Sequence, residues 1–138
     1  MAKENKKILI VEDEEPMRHA LMDKFTDDGF EVVQAKDGEE GLEIALASQP
    51  DIILLDIILP KMDGMTMLKK LRENEKGANV PVILLTNLDY SVGVAKAMEA
   101  KAYDYLVKTD WTLDDVVNKV KKKLKRIYDK NRYEMDYR

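Results

Sequence analysis

Three short runs of consecutive apolar residues, Ile8 to Val11, Ile52 to Leu55 and Val80 to Leu85, constrain the fold of this chain more than any other feature. Successive side chains of a strand point to opposite faces, so a strand with one wet face alternates apolar and polar residues. An unbroken apolar run needs cover on both faces, which is the condition of a parallel sheet layered between helices. Weaker runs at Phe30 to Gln34 and Tyr103 to Val107 fit two further strands of the same sheet.

Segments of helical period lie between the runs. Met17, Ala20, Leu21 and Phe25 form one apolar stripe, Leu42, Ala45 and Leu46 a second, and Met65, Leu68 and Leu71 a third. Pro16 suits a first helical turn, Asp37-Gly38 and Asp63-Gly64 open the next two helices, and Gly77 separates the third from its strand. A fourth helix is expected over roughly Ser91 to Ala100, with mostly Val and Ala as its apolar content. A fifth starts near Thr112 and carries Leu113, Val116, Val117, Val120, Leu124 and Ile127. Strand then helix, five times over, predicts a doubly wound α/β sandwich around a five-stranded parallel sheet, with an extended C-terminal helix. Such sheets bind ligands beyond the carboxyl ends of their strands, near the point where strand order reverses.

The 138 residues suffice for one domain and contain no internal repeat. No apolar run approaches the ~20 residues of a membrane-spanning helix. No stretch of signal-peptide length precedes the first strand and there is no cysteine, so the expected address is the cytoplasm, without membrane contact. The formal net charge of −4 conceals an asymmetry: residues 1–118 carry 14 basic against 24 acidic side chains, and the last twenty carry 9 against 3. An acidic body argues against nucleic-acid binding, which needs clustered Lys and Arg; only the tail offers any.

The strand ends carry the chemistry. Glu12-Asp13-Glu14-Glu15 follows the first strand, Asp56 the third, Thr86 the fourth and Lys108 the fifth, and the predicted fold brings all of them to one edge of the sheet. Carboxylates gathered there repel one another and call for a counter-ion; a few oxygen ligands with open positions suit Mg²⁺. Asp56 sits between IILL and IIL, an expensive place for an uncompensated charge, and a carboxylate can attack a phosphoryl group once a metal and a cation neutralise the charge. Thr86 and Lys108 suit the oxygens of a transferred phosphoryl group. Glu14 and Glu15 read instead as caps of the first helix, Asp63-Gly64 as turn chemistry, and His19, beside Arg18, as a solvated residue on a polar face.

The stretches ILIVEDEEPMRHAL, LLDIILPKMDG, VILLT and AYDYLVK resemble the receiver domains of bacterial response regulators, in that family's order and spacing over nearly all of residues 7 to 125. The resemblance implies a flavodoxin-like (βα)₅ sandwich acting as a phosphorylation switch rather than an enzyme, with a receiver domain over 1–125 and a basic, aromatic helical extension or linker over 126–138. It implies Asp56 as phosphoacceptor and Asp13 and Asp56 as direct Mg²⁺ ligands. Glu12 would assist through water, and the backbone carbonyl of Ile58 would complete the protein's share. Thr86 is then the switch threonine, Lys108 the salt-bridging lysine and Tyr105 the aromatic whose rotamer reports activation. The implied partners are a sensor histidine kinase or phosphotransfer protein, and an output protein on the face of the fourth helix, fifth strand and fifth helix.

The chain departs from the family pattern in several places. Glu12 replaces a frequent Asp. Thr109 follows Lys108 where the family usually has a cis proline, and a non-proline cis bond costs roughly 3 kcal/mol, so cis and trans are both open. Asn87 stands where a small residue is usual, and neither Ile58 nor Leu88 can orient an attacking water. A long-lived phosphoryl group is expected. Three other readings fit less well. A haloacid-dehalogenase-type phosphatase needs a second Asp where Ile58 stands, a flavin module would have its phosphate repelled by EDEE, and a degenerate scaffold receiver would not retain every functional residue type. The tail, Lys119 to Arg138, reads by default as the solvated side of an amphipathic helix; with Tyr128, Tyr133 and Tyr137 it also suits a docking segment, a homodimer contact or the start of a linker.

Overall fold

The structure, a computed structural model, describes residues 6–86, 104–107 and 112–136. The helix expected over 91–100, along with Asn87, Leu88, Lys108 and Thr109, lies outside the described residues. Five strands, β1 (Lys7–Val11), β2 (Glu31–Ala35), β3 (Ile52–Asp56), β4 (Val82–Thr86) and β5 (Asp104–Val107), form one sheet in the order β2-β1-β3-β4-β5. Every pairing is parallel. Among the described residues, three α-helices, α1 (Glu15–Asp27), α2 (Gly38–Ser48) and α3 (Gly64–Glu73), and a C-terminal α-helix (Leu113–Asp136) accompany the strands.

The continuous apolar runs have the cause their pattern implies. Leu9 and Val11 of β1, with Ile53 and Leu55 of β3, join the core that contains Ala45 of α2 and Met67, Leu68 and Leu71 of α3. Ile8, Ile10, Ile52 and Leu54 point the other way, into a second core with Leu21 and Phe25 of α1 and Val116, Val117 and Val120 of the C-terminal helix. Strand residues of both sets are fully buried, so burial alone distinguishes neither face. Phe25 meets Phe30 edge to face, with ring centroids 5.1 Å apart, closing the second core at the end of α1.

Local details correct the sequence reading: β1 starts at Lys7 rather than Ile8, β2 runs Glu31–Ala35 rather than from Phe30 to Gln34, and three further points differ. The fourth strand begins at Val82 instead of Val80, since Pro81 has no N–H for a ladder; its carbonyl still accepts from the Ile53 N–H at 2.9 Å. The buried stripe of α3 is Gly64, Met67, Leu68 and Leu71, and Met65 is only partly buried. Glu14 occupies the N-cap position of α1, but its side chain makes no capping hydrogen bond. Elsewhere the helix starts are as expected: Asp37 accepts from the Glu40 N–H at 2.8 Å, and Asp63 from the Thr66 N–H at 2.9 Å. Thr112 and Asp115 cap the C-terminal helix reciprocally, the Thr112 N–H donating to the Asp115 carboxylate at 2.9 Å and the Asp115 N–H to Thr112 Oγ1 at 3.2 Å.

The C-terminal helix runs unbroken for 24 residues, about 36 Å at the helical rise. Strands of five residues span only about 17 Å, so the helix outruns the sheet it packs on. Ion pairs from Lys24 to Asp114 and from Lys121 to Asp28 tie its first half to α1. Beyond that, Tyr128 is 58% exposed. Among the described residues no helix is long and apolar enough to cross a membrane.

Candidate functional site

From β1 the chain passes to β2 on one side and, after α2, to β3 on the other, so the sheet's order reverses between β1 and β3. Two neighbouring strands whose connections depart in opposite directions leave a crevice beyond their carboxyl ends. Val11 and Leu55 are register partners there, and the residues that follow them, Glu12 and Asp56, therefore stand side by side. The parallel register thus converts two distant sequence positions into a carboxylate pair.

Glu12, Asp13 and Asp56 each offer a carboxylate oxygen within 4.8 Å of the others. Glu12 is fully buried, Asp56 is 4% exposed, and Asp13 is open to solvent. Backbone donors hold the two buried groups: the Glu14 N–H donates to Glu12 Oε2 at 3.1 Å, and the Ile58 N–H to Asp56 Oδ1 at 3.2 Å. Three carboxylates this close repel one another unless a cation lies among them. The donor set is all oxygen, with one ligand open to water, which fits Mg²⁺ better than a softer metal that seeks nitrogen or sulfur.

The loop after Asp56 is clamped from two sides. A Cβ on Gly64 would lie 2.1 Å from the Asp56 carbonyl oxygen, so only glycine lets α3 begin against the backbone of Asp56. The Gly64 N–H also donates to the Ile57 carbonyl at 2.7 Å. A Cβ on Gly38 would lie 1.9 Å from the Met62 carbonyl oxygen, so the start of α2 presses equally closely on the same loop. Lys61, in the left-handed region at φ 66°, reaches back to the nearly buried Asp37 carboxylate at 3.9 Å. Ile58, next but one to Asp56, is 58% exposed and forms an apolar rim to the site.

Of the residues singled out from sequence, the structure brings Glu12, Asp13 and Asp56 together and places Ile58 beside them. Thr86 ends β4 directly after Leu85, the register partner of Asp56, so it stands at the same edge. Tyr105 lies on β5 opposite Leu84, and Lys108 is outside the described residues. His19 is exposed, 4.0 Å from Glu15 one helical turn away, as expected of a solvated residue. Arg18, read as a polar-face neighbour of His19, does more. Its Nη1 donates to the Glu12 carbonyl at 3.0 Å and its Nε to Gln34 Oε1 at 2.8 Å. Periodicity could not have found this, because Gln34 belongs to another strand.

The family model described as response regulator receiver domain matches residues 8–121. The alkaline phosphatase synthesis transcriptional regulatory protein PhoP of Bacillus subtilis is 39% identical over 104 residues, 75% of this chain and 42% of that protein. The DNA-binding dual master transcriptional regulator RpaA of Synechocystis is 34% identical over 120 residues, 87% of this chain and 49% of its own length. The chain thus spans under half the length of these curated relatives. Among solved structures, a CheY-like response regulator receiver domain protein from Methanospirillum hungatei superimposes with a TM-score of 0.84 at 27% identity, covering 92% of this chain and 99% of that one.

Proposed function

We propose a function from one premise: the chain belongs to the response regulator receiver domain family. It acts as a signalling switch that accepts a phosphoryl group on Asp56. The observation that carries this reading is the nearly buried Asp56 carboxylate at the end of a central strand, with oxygens of Glu12 and Asp13 within 4.8 Å of it. An Asp56 oxygen attacks phosphorus, the bond from phosphorus to the donor breaks, and the departing group keeps the electron pair. An acyl phosphate results.

Asp13 and Asp56 would hold Mg²⁺ directly, Glu12 through water, and the Ile58 carbonyl would complete the set. When bound, the ion supplies positive charge against the carboxylates and the phosphoryl oxygens. The backbone clamp at Gly64 and the Ile58 N–H hold Asp56 in place, so that little reorganisation accompanies transfer. Lys108 offsets the remaining charge and Thr86 engages a phosphoryl oxygen. The space Thr86 leaves admits Tyr105, changing the face of the fourth helix, fifth strand and fifth helix. A modification shifts such a two-state element only through contacts that differ between its states. Ile58 offers no group to direct an attacking water, which supports a long-lived phosphoryl group.

The donor is a sensor histidine kinase or phosphotransfer protein, the setting is the cytoplasm, and the recipient is a protein that reads the switched face. Residues 1–125 form the switch and 126–138 extend it as a helical linker or docking segment, through which two copies can also associate. Incubation with Mg²⁺ and acetyl phosphate, followed by intact mass, tests the core of this reading. A metal-dependent gain of one phosphoryl group, absent in Asp56→Asn and persisting beyond seconds after donor removal, is expected. Metal binding without an adduct would replace the switch with a scaffold, and rapid loss of the group would refute the long lifetime. Thr86→Ala should still be phosphorylated yet lose coupling to the output face.

A further inference from the structure

We infer that Arg18 is a positioning residue for the metal site, acting through the peptide that joins Glu12 to Asp13. The inference rests on the Mg²⁺ reading proposed above and adds to it a residue outside the acidic cluster.

The site's first loop is held at Glu12 by three hydrogen bonds. The Glu12 N–H donates to the Ala35 carbonyl at 3.1 Å, prolonging the ladder between β1 and β2 by one residue. Its carboxylate accepts from the Glu14 N–H. Its carbonyl accepts from Arg18 Nη1 at 3.0 Å. A peptide is planar, so fixing the Glu12 carbonyl fixes the Asp13 nitrogen and constrains where the Asp13 Cα can lie. Asp13 is the one exposed carboxylate of the three and has no burial to restrain it, so the orientation of that plane largely decides whether it faces Glu12 and Asp56.

The guanidinium is itself anchored. Its Nε donates to Gln34 Oε1 at 2.8 Å, so one rigid planar group spans from α1 to the β1 loop on one side and to β2 on the other. Arginine can satisfy two partners in fixed relative directions; a lysine ammonium carries the same charge on a flexible stem and lacks that geometry. The pair therefore separates two roles. If Arg18 mattered only as a nearby positive charge, lysine would replace it, whereas if it holds the peptide plane, lysine fails almost as badly as glutamine.

The test is calorimetric titration of Mg²⁺ into the full chain, its Arg18→Lys and Arg18→Gln variants, and Gln34→Ala, with melting temperatures taken without metal. Outer-shell partners of metal ligands typically contribute 10–100-fold in affinity, and loss of about tenfold is expected in both Arg18 variants. Gln34 is exposed, so Gln34→Ala tests the same device without threatening the fold; a smaller weakening, about threefold, is expected from the loosened anchor. Unchanged Mg²⁺ affinity in folded Arg18→Lys overturns the inference, and if that variant does not fold, unchanged affinity in Gln34→Ala does so. A fall in melting temperature with unchanged affinity marks a merely structural arginine. Absence of Mg²⁺ binding by the parent chain is a different result, which removes the metal reading itself and this inference with it.

Discussion

Replacing Gly64 by alanine sets two opposed effects against each other. Gly64 is the first residue of α3, where alanine gains at most ~1 kcal/mol in helix propensity over glycine. Against that, the new Cβ would sit 2.1 Å from the Asp56 carbonyl oxygen and 2.8 Å from the Ile57 Cα, where real Cβ atoms stay beyond 3.0 Å. Both obstacles are backbone, so no rotamer change relieves the clash, and α3 and the strand end must part by about 1 Å. Overpacking of this kind costs roughly 1–3 kcal/mol, commonly near the upper end when backbone must move. We expect a net loss of about 2 kcal/mol, or roughly 5–10 °C in Tm for a domain of this size. On the proposed function, displacing Asp56 by about 1 Å should also slow phosphorylation by acetyl phosphate on the order of 10²-fold. Urea unfolding and the time course of the mass adduct read the two effects separately. Gly29→Ala is the control: φ is +93° and nothing lies within 4 Å of its Cβ, so backbone strain alone costs about 1–2 kcal/mol and the phosphorylation rate is unchanged. A Gly64→Ala protein more stable than the parent and phosphorylated at the parent rate would refute this account of the clamp.

Other expectations follow from single contacts. Asp63→Ala removes acceptors for both the Thr66 N–H at 2.9 Å and the Thr66 hydroxyl at 3.0 Å, and should cost about 1 kcal/mol by urea unfolding. Mg²⁺ at ~100 times its Kd should stabilise the parent by about 2.7 kcal/mol, reversibly on chelation, and Asp56→Asn by much less; equal stabilisation would place the ion elsewhere. The hydrogen bond and charge of Asp114, 2.6 Å away, hold the exposed Lys24 ammonium above the ordinary lysine range. A raised folded-state pKa favours the folded state below the unfolded lysine's pKa, and that contribution disappears as pH rises through the folded value. The small melting difference between parent and Lys24→Gln should therefore be constant through neutral pH and vanish only in strong alkali; a difference already changing near neutrality would assign it to another group.

Local pattern and long-range register divide this protein between them. The unbroken runs at β1 and β3 announced a sheet covered on both faces, because only such a strand can bury two successive side chains. Asp37 and Asp63 announced their helices, because an N-cap is satisfied within four residues of chain. Asp56 was legible for a similar reason, as a charge set between apolar runs. The rotation of α3, which buries Met67 more deeply than Met65, was not legible, since the face a helix presents depends on how its first residue abuts Asp56.

Tertiary structure alone decided which strand ends meet. Glu12 and Asp56 are 44 residues apart and become neighbours only because β1 lies between β2 and β3 in a fixed parallel register. Arg18 reaches Gln34 for the same reason, through strand order that no local periodicity encodes. Among the described residues, sequence determined which elements form and their bounds to within a residue or two, because these depend on interactions a few residues long. Only the sheet determined the distances between their side chains, because hydrogen-bonded register is a property of two strands and not of one.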